Sequence, residues 1–242
     1  MKKFVVIHNK NSRGRKFSKK EIEELFEKND LVSDVYQTEK PSEVEEIIKK
    51  YLEQSVISCA VGGDGTLSNL IDIIFKLNVP NPEIACLPSG SGSDFMRTFA
   101  FPQSVNEGVK RLKNNDGYMI DVGFIESKNK SRYFINVLNY GFLADTVQIS
   151  EKLPRIFKRF RYPVSFWLKL FPAKSNNFKI VNDSYEFDNI AFNISICNGQ
   201  YFGGGWNISP KSSLQDGLFN TQIFKVTKLK AMKLFFLAKK GL

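Results

Sequence analysis

Residues 62–66 read Gly-Gly-Asp-Gly-Thr and directly follow the apolar run Val56-Ile57-Ser58-Cys59-Ala60-Val61. Three closely spaced glycines let a chain leaving a buried strand turn sharply and bring its backbone against a ligand. The segment from Leu67 to Phe75 is apolar enough to be a helix. Gly62, Gly63, Asp64, Gly65 and Thr66 are therefore expected to form a loop at a helix N-terminus, where free N–H groups and the positive end of the dipole suit phosphate. Asp64 adds a carboxylate that can orient or deprotonate a hydroxyl, or hold Mg²⁺. A bare strand-to-helix turn also uses glycine. Three glycines around an acid favour the ligand.

A second loop has the same chemistry. Ile84-Ala85-Cys86-Leu87-Pro88 is a short apolar run bounded by Pro82 and Pro88, as a buried strand would be. Ser89-Gly90-Ser91-Gly92-Ser93-Asp94 follows, then Phe95-Met96-Arg97-Thr98-Phe99. Capping a helix accounts for Asp94 but not for the Gly/Ser run ahead of it. Ligands of α/β sheets bind beyond the carboxyl ends of the strands, so two adjacent loops of this kind are expected to face one crevice.

The elements that must carry these loops can be read from the hydrophobic spacing. Phe4 to Ile7 is strand-like, and Ser18 with Glu21 is a capping-box signature ahead of Ile22, Leu25 and Phe26 at helical spacing. Leu31 to Thr38 reads as a strand. Val44, Ile47, Ile48, Tyr51 and Leu52 share a helical face, as do Val105, Val109 and Leu112. Alternating strands and helices predict an α/β domain with a parallel sheet. From about Met119 the rhythm changes. Tyr133 to Val137, Phe178 to Val181, Ile190 to Cys197 and Leu218 to Val226 look like strands separated by polar turns. A β-rich, sandwich-like C-terminal domain is expected, with domains at 1–120 and 121–242.

Composition narrows the functional classes. The chain has 242 residues, 42% hydrophobic and 25% charged, and is long enough for one domain or two small ones with a substantial core. No apolar run reaches the ~18 residues needed to span a bilayer, and the apolar stretch after Lys2-Lys3 is too short for a signal peptide. Cys59, Cys86 and Cys197 are an odd number, each in an apolar run, which points to reduced thiols and a cytoplasmic setting. His8 is the only histidine, which excludes a histidine-based zinc site and favours a structural or nucleotide-contact role over general-base catalysis. The net charge of +10 asks for an anionic partner. Part of it lies in Lys158, Arg159 and Arg161, interleaved with aromatic residues such as Phe166 and Trp167. That mixture suits transient docking on an anionic membrane surface, with an ordinary solvated helix as the alternative. No nucleic-acid-binding motif accompanies the charge.

Gly62-Gly63-Asp64-Gly65-Thr66 resembles the nucleotide-binding signature of diacylglycerol, sphingosine and NAD kinases. Leu87 to Phe95 resembles the second lipid-kinase motif, L-P-x-G-T-x-N-D-F, with Ser91 for threonine and Ser93 for asparagine. His8 to Gly14 resembles the N-terminal N-P-x-S-G element, with Lys10 in place of proline. Gly203 to Pro210, followed by Asp216-Gly217, resembles a later G-G-x-x-x-x-P…D-G stretch. The chain is thus similar to bacterial diacylglycerol kinase and sphingosine kinase-like lipid kinases. The resemblance implies ATP-dependent phosphorylation of a lipid hydroxyl on diacylglycerol, a sphingoid base or a related lipid, with Mg²⁺ as cofactor. It implies an N-terminal nucleotide domain, a C-terminal lipid-substrate domain, and a peripheral membrane association compatible with a homodimer. Asp64 is then the catalytic candidate. Asn9, Ser12, Gly62, Gly63, Asp64, Gly65, Thr66, Gly90, Ser91 and Asp94 are candidates for nucleotide binding. Asp216, with the main-chain carbonyls of Ser213 and Leu218, is the candidate Mg²⁺ site. An Asp-Gly turn opening the next strand explains Asp216 equally well. Family members continue to a further acidic Asp-Gly-Glu element, which this chain lacks before Leu242, so a truncated chain or an impaired enzyme is also expected. An NAD kinase-like enzyme and a non-catalytic nucleotide- or lipid-binding protein are the alternatives.

Overall fold

In the computed structural model the described residues are 2–12, 17–89, 93–114, 116–182 and 185–240. They form two compact units, 1–135 and 136–242. Unit 1 runs β1 (Lys3–Asn9), α1 (Lys19–Glu27), β2 (Ser33–Thr38), α2 (Pro41–Lys49), β3 (Val56–Gly62), α3 (Asp64–Lys76), β4 (Glu83–Pro88), α4 (Asp94–Thr98) and α5 (Val105–Leu112). The hairpin β5 (Gly123–Ser127) and β6 (Lys130–Phe134) completes it. The sheet has the order β2-β1-β3-β4 and is parallel throughout. β1 and β3 are apolar on both faces, as strands covered by helices on each side must be. One face packs Phe4, Val6, Cys59, Val61 and Leu87 against Ile22 and Phe26 of α1 and Val109 of α5. α1 starts as expected: the Ser18 hydroxyl accepts from the Glu21 N–H, and the Glu21 carboxylate accepts from the Ser18 N–H.

Register places the chemistry. His8 lies beside Val61, and Gly62 beside Pro88. Asn9, Gly62 and Pro88 therefore end their strands at one edge of the sheet. The hairpin belongs to this unit because α3 holds it. The Asp72 carboxylate accepts from the Tyr133 N–H at 2.9 Å, and Arg132 donates to the Ser68 hydroxyl and the Asn69 side-chain carbonyl. The run Tyr133 to Val137 is consequently not one strand. β6 stops at Phe134, and Val137 opens β7 in the other unit.

Unit 2 comprises β7 (Val137–Gly141), α6 (Phe142–Lys152), a 3-10 turn (Arg155–Phe160), α7 (Arg161–Leu170), β8 (Asn176–Asn182), β9 (Tyr185–Ala191), β10 (Asn193–Cys197), β11 (Tyr201–Phe202), β12 (Trp206–Asn207), β13 (Asn220–Phe224) and α8 (Lys228–Lys240). It is β-rich and antiparallel, with a β13-β10-β7 sheet and the hairpins β8–β9 and β11–β12. The run Ile190 to Cys197 breaks at Phe192, whose N–H donates to the Phe224 carbonyl and whose carbonyl accepts from the Phe142 N–H. Aromatic residues of α6, α7, β12 and α8 form the main apolar cluster, including Phe142, Phe166, Trp206 and Phe235.

The basic-aromatic segment is only partly a surface. Arg161 is buried and donates to the main-chain carbonyls of Glu151 and Leu153, and Phe166 is 3% exposed in the aromatic cluster. Neither is available to a membrane. Lys169 pairs with Asp145. Exposed apolar side chains include Ile156 and Phe160 of the 3-10 turn, Leu168 of α7, Phe171 just after it, and Leu229 and Phe236 of α8.

Candidate functional site

Three loops leave the carboxyl edge of the unit 1 sheet, and side-chain hydrogen bonds join them pairwise. From the loop after β1, the Asn9 amide nitrogen donates to the Thr66 hydroxyl oxygen at 3.2 Å, and the Ser12 hydroxyl donates to the Ser89 carbonyl at 3.1 Å. The Ser89 N–H donates to the Gly62 carbonyl. Asp64 ties α3 to α4: its Oδ2 accepts from the Asp94 N–H at 2.9 Å, and its Oδ1 accepts from the Phe95 N–H at 3.2 Å. Asn9, Ser12, Asp64, Thr66 and Asp94 are thus brought together. Gly90 and Ser91 lie outside the described residues, as does Gly14 of the first motif.

The helix begins earlier than the glycine content suggests. α3 starts at Asp64 with Gly63 as its N-cap, so Asp64, Gly65 and Thr66 form its first turn. Gly63 has no side chain to cap the helix, and of the first-turn N–H groups only that of Thr66 has an intrahelical partner, the Gly63 carbonyl. The two glycines that flank the N-cap differ in kind. A Cβ on Gly62 would overlap the Thr66 side chain, so Gly62 is a packing requirement. A Cβ on Gly65 would meet nothing within 4 Å. A glycine that the fold does not need, in the first turn of a helix, leaves open space beside unpaired donors. Ser89 is a residue that the pattern did not single out. It is 2% exposed, and its hydroxyl has no hydrogen-bond partner among the described residues. Its place at the end of an apolar strand was the available signal. These features fit a phosphate group, which brings several acceptor oxygens and negative charge.

Electrostatics follow from burial. Burial raises the Asp64 pKa, against the lowering effect of the Asp94 and Phe95 N–H groups and the Arg97 guanidinium. Asp94 is buried, 3.5 Å from the Arg97 Nε. His8, also buried, is held below its ordinary value first by desolvation and then by Lys10, and Gln37 Nε2 lies 3.3 Å from its Nδ1. An amide nitrogen only donates, so Nδ1 is an unprotonated acceptor. The thiols are inert: burial pushes Cys86 and Cys197 up to about 12 and raises Cys59 strongly. Among the described residues no group of three or more His, Cys, Asp or Glu side chains is placed to hold a metal ion.

In unit 2, the Asp216 carboxylate accepts from the Leu218 N–H at 3.0 Å, across Gly217 in a left-handed conformation (φ +70°). That is the geometry of a turn. It leaves acceptor capacity on the carboxylate, since an ionised carboxylate can take several hydrogen bonds or a cation. The Ser213 hydroxyl accepts from the Gln215 N–H. The same unit holds a cavity of about 70 Å³ lined by Phe142, Phe192, Trp206, Ile208 and Phe235 among others. Asn193 is a polar lining residue, but its amide is already engaged with the Leu143 N–H and the Ser195 hydroxyl. To a ligand the wall is effectively apolar. Among the described residues no helix is long and apolar enough to cross a membrane.

A family model described as the diacylglycerol kinase catalytic domain matches residues 3–125, and one described as the YegS C-terminal NAD kinase beta sandwich-like domain matches residues 136–242. The chain is 26% identical over 167 residues to the lipid kinase YegS of Escherichia coli (strain K12), a match covering 68% of this chain and 55% of that protein. It is 26% identical over 172 residues to a probable lipid kinase YegS-like protein of Yersinia enterocolitica serotype O:8, covering 70% and 57%. The matches thus span little more than half the length of these curated relatives. A solved structure titled a diacylglycerol kinase from Bacillus anthracis str. Sterne superposes with a TM-score of 0.69 at 20% identity, covering 97% of this chain and 77% of that one. The likeness to it is one of fold.

Proposed function

The chain belongs to the diacylglycerol kinase catalytic-domain family, and we propose on that premise that it transfers a phosphoryl group from ATP to a lipid hydroxyl. The observation that carries this reading is the first turn of α3, where unpaired N–H groups and the open space at Gly65 sit within the three joined loops. Gly62, Gly63, Asp64, Gly65 and Thr66 would hold the phosphates. Asn9, Ser12 and Asp94 stand around them, and Gly90 and Ser91 are proposed for the same role. Asp64 is the proposed catalytic carboxylate. Its elevated pKa makes it a better proton acceptor than a solvated aspartate, and its remaining lone pairs can face the attacking hydroxyl.

Bound Mg²⁺ would neutralise charge on the phosphates. A separate structural Mg²⁺ is proposed at Asp216 with the main-chain carbonyls of Ser213 and Leu218, whose oxygens suit a hard cation. A lipid rather than a soluble substrate such as a dinucleotide is proposed on the family match; the apolar cavity of unit 2, about 70 Å³, is smaller than a lipid-sized pocket. Delivery of that lipid would use adsorption of the exposed apolar residues of α7 and α8 to an anionic membrane.

A second reading, nucleotide or lipid binding without turnover, is favoured by one observation: both Asp64 oxygens already accept main-chain N–H groups. Phosphoryl transfer from radiolabelled ATP to a panel of diacylglycerols and sphingoid bases separates the two. Labelled lipid with wild type, and its loss with Asp64→Asn, supports the kinase. ATP binding without labelled lipid supports the second reading.

A further inference from the structure

We infer that Asn9 is a positioning residue that sets the hydrogen-bond polarity of Thr66, so that the Thr66 hydroxyl presents its single proton to an anionic oxygen. The inference rests on the phosphate-site reading above and assigns Asn9 a role through Thr66 rather than a direct contact.

The Asn11 N–H donates to Asn9 Oδ1 at 2.8 Å, which fixes which end of the Asn9 amide is oxygen. The other end, Nδ2, points to Thr66 Oγ1. An amide nitrogen has only protons to offer, so the Thr66 oxygen must accept. A hydroxyl has one proton and two lone pairs, and here a lone pair is committed while the proton has no acceptor among the described residues. A helical threonine usually donates to the carbonyl three or four residues back. Here it bonds neither: the Gly63 carbonyl takes the Thr66 and Leu67 N–H groups, and the Gly62 carbonyl takes the Ser89 N–H. A buried hydroxyl proton requires a partner. Ser89, whose N–H bonds Gly62, has a buried hydroxyl with no partner among the described residues and makes a second polar group awaiting one. Tetrahedral oxyanions supply such acceptors.

Isothermal titration of wild type and variants with Mg-ATP and with inorganic tripolyphosphate tests this. Thr66→Val should weaken both ligands by about ten- to a hundredfold, the range for a hydrogen bond to a charged group. Thr66→Ser should stay near wild type. Asn9→Ala should weaken both, and Asn9/Thr66 changed together should bind no worse than Thr66→Val alone, because Asn9 acts through Thr66. Asn9→Asp should be worse than Asn9→Ala, since a carboxylate accepts the Thr66 proton and repels the anion. Multiplying losses in the double variant, or unchanged affinity in folded Thr66→Val, overturns the inference. If Thr66→Val does not fold, Thr66→Ala takes its place in the same cycle with Asn9→Ala, and multiplying losses again overturn the inference. Wild type that binds tripolyphosphate but not ATP removes the kinase reading and leaves this inference standing. Binding of neither removes both.

Discussion

Asp64 faces two demands, since the same carboxylate that is proposed for chemistry also anchors the first turn of α4. Asp64→Asn keeps one acceptor oxygen and turns an NH₂ group toward a main-chain N–H. Leaving that N–H unpaired costs about 1–3 kcal/mol, so thermal melting should drop by several degrees alongside the loss of turnover. A loss of turnover with unchanged melting would show that α4 does not depend on Asp64. His8 gives a pH prediction. Its folded pKa lies below 6.5, so on acidification the unfolded chain takes up a proton first. Stability contributed by neutral His8 is therefore present above 6.5 and is lost as the pH falls from 6.5 toward the folded value. Asp64 acts in the opposite sense: its raised pKa is a penalty present above the folded value and absent below 3.8. Melting curves of His8→Gln and wild type between pH 4 and 8 isolate the first effect, the variant being the flatter below about 6.5.

The first turn of α3 separates what a helix needs from what a ligand needs. Gly65→Ala should stabilise unit 1 by about 0.5 kcal/mol, because the new Cβ meets open space and the unfolded chain loses freedom. It should also weaken ATP by about tenfold or more by filling the anion's approach. Gly62→Ala should destabilise, because its Cβ overlaps Thr66. Melting and titration on the two variants check the pair; equal behaviour would mean that the glycines have one common role. At this scale much was legible in the sequence. Period marks α1, α2 and α5, with a capping box at α1, and β1, β3 and β4 read as apolar runs because helices cover the sheet. The start of α3 was read too late, since three glycines look like loop although the helix dipole and Asp64 tolerate them. Tyr133 to Val137 and Ile190 to Cys197 were read as single strands because hydrophobicity does not record which neighbour a strand pairs with. The pairing of Asn9 with Thr66 joins positions 57 residues apart and needed the β1–β3 register.

Charge belongs to the molecule as a whole. With a net +10, adsorption to anionic vesicles should be measurable by sedimentation and should weaken with salt. Phe171→Glu with Phe236→Glu should reduce it strongly, since both side chains are exposed and a carboxylate is repelled by the surface. Undiminished binding in that variant would place the contact elsewhere. Changes at Arg161 or Phe166 should instead lower thermal stability, because both are buried. The thiols distribute differently: Cys59 is enclosed in unit 1 and Cys197 in unit 2, each with its pKa raised by burial. Neither thiolate can form until its own unit opens, so each cysteine is a built-in timer for the opening of one half of the chain. Alkylation followed by peptide mass spectrometry would read both timers in one tube, without a mutation or a dye. Mg-ATP should slow the one at Cys59, because a ligand of unit 1 stabilises that unit against opening.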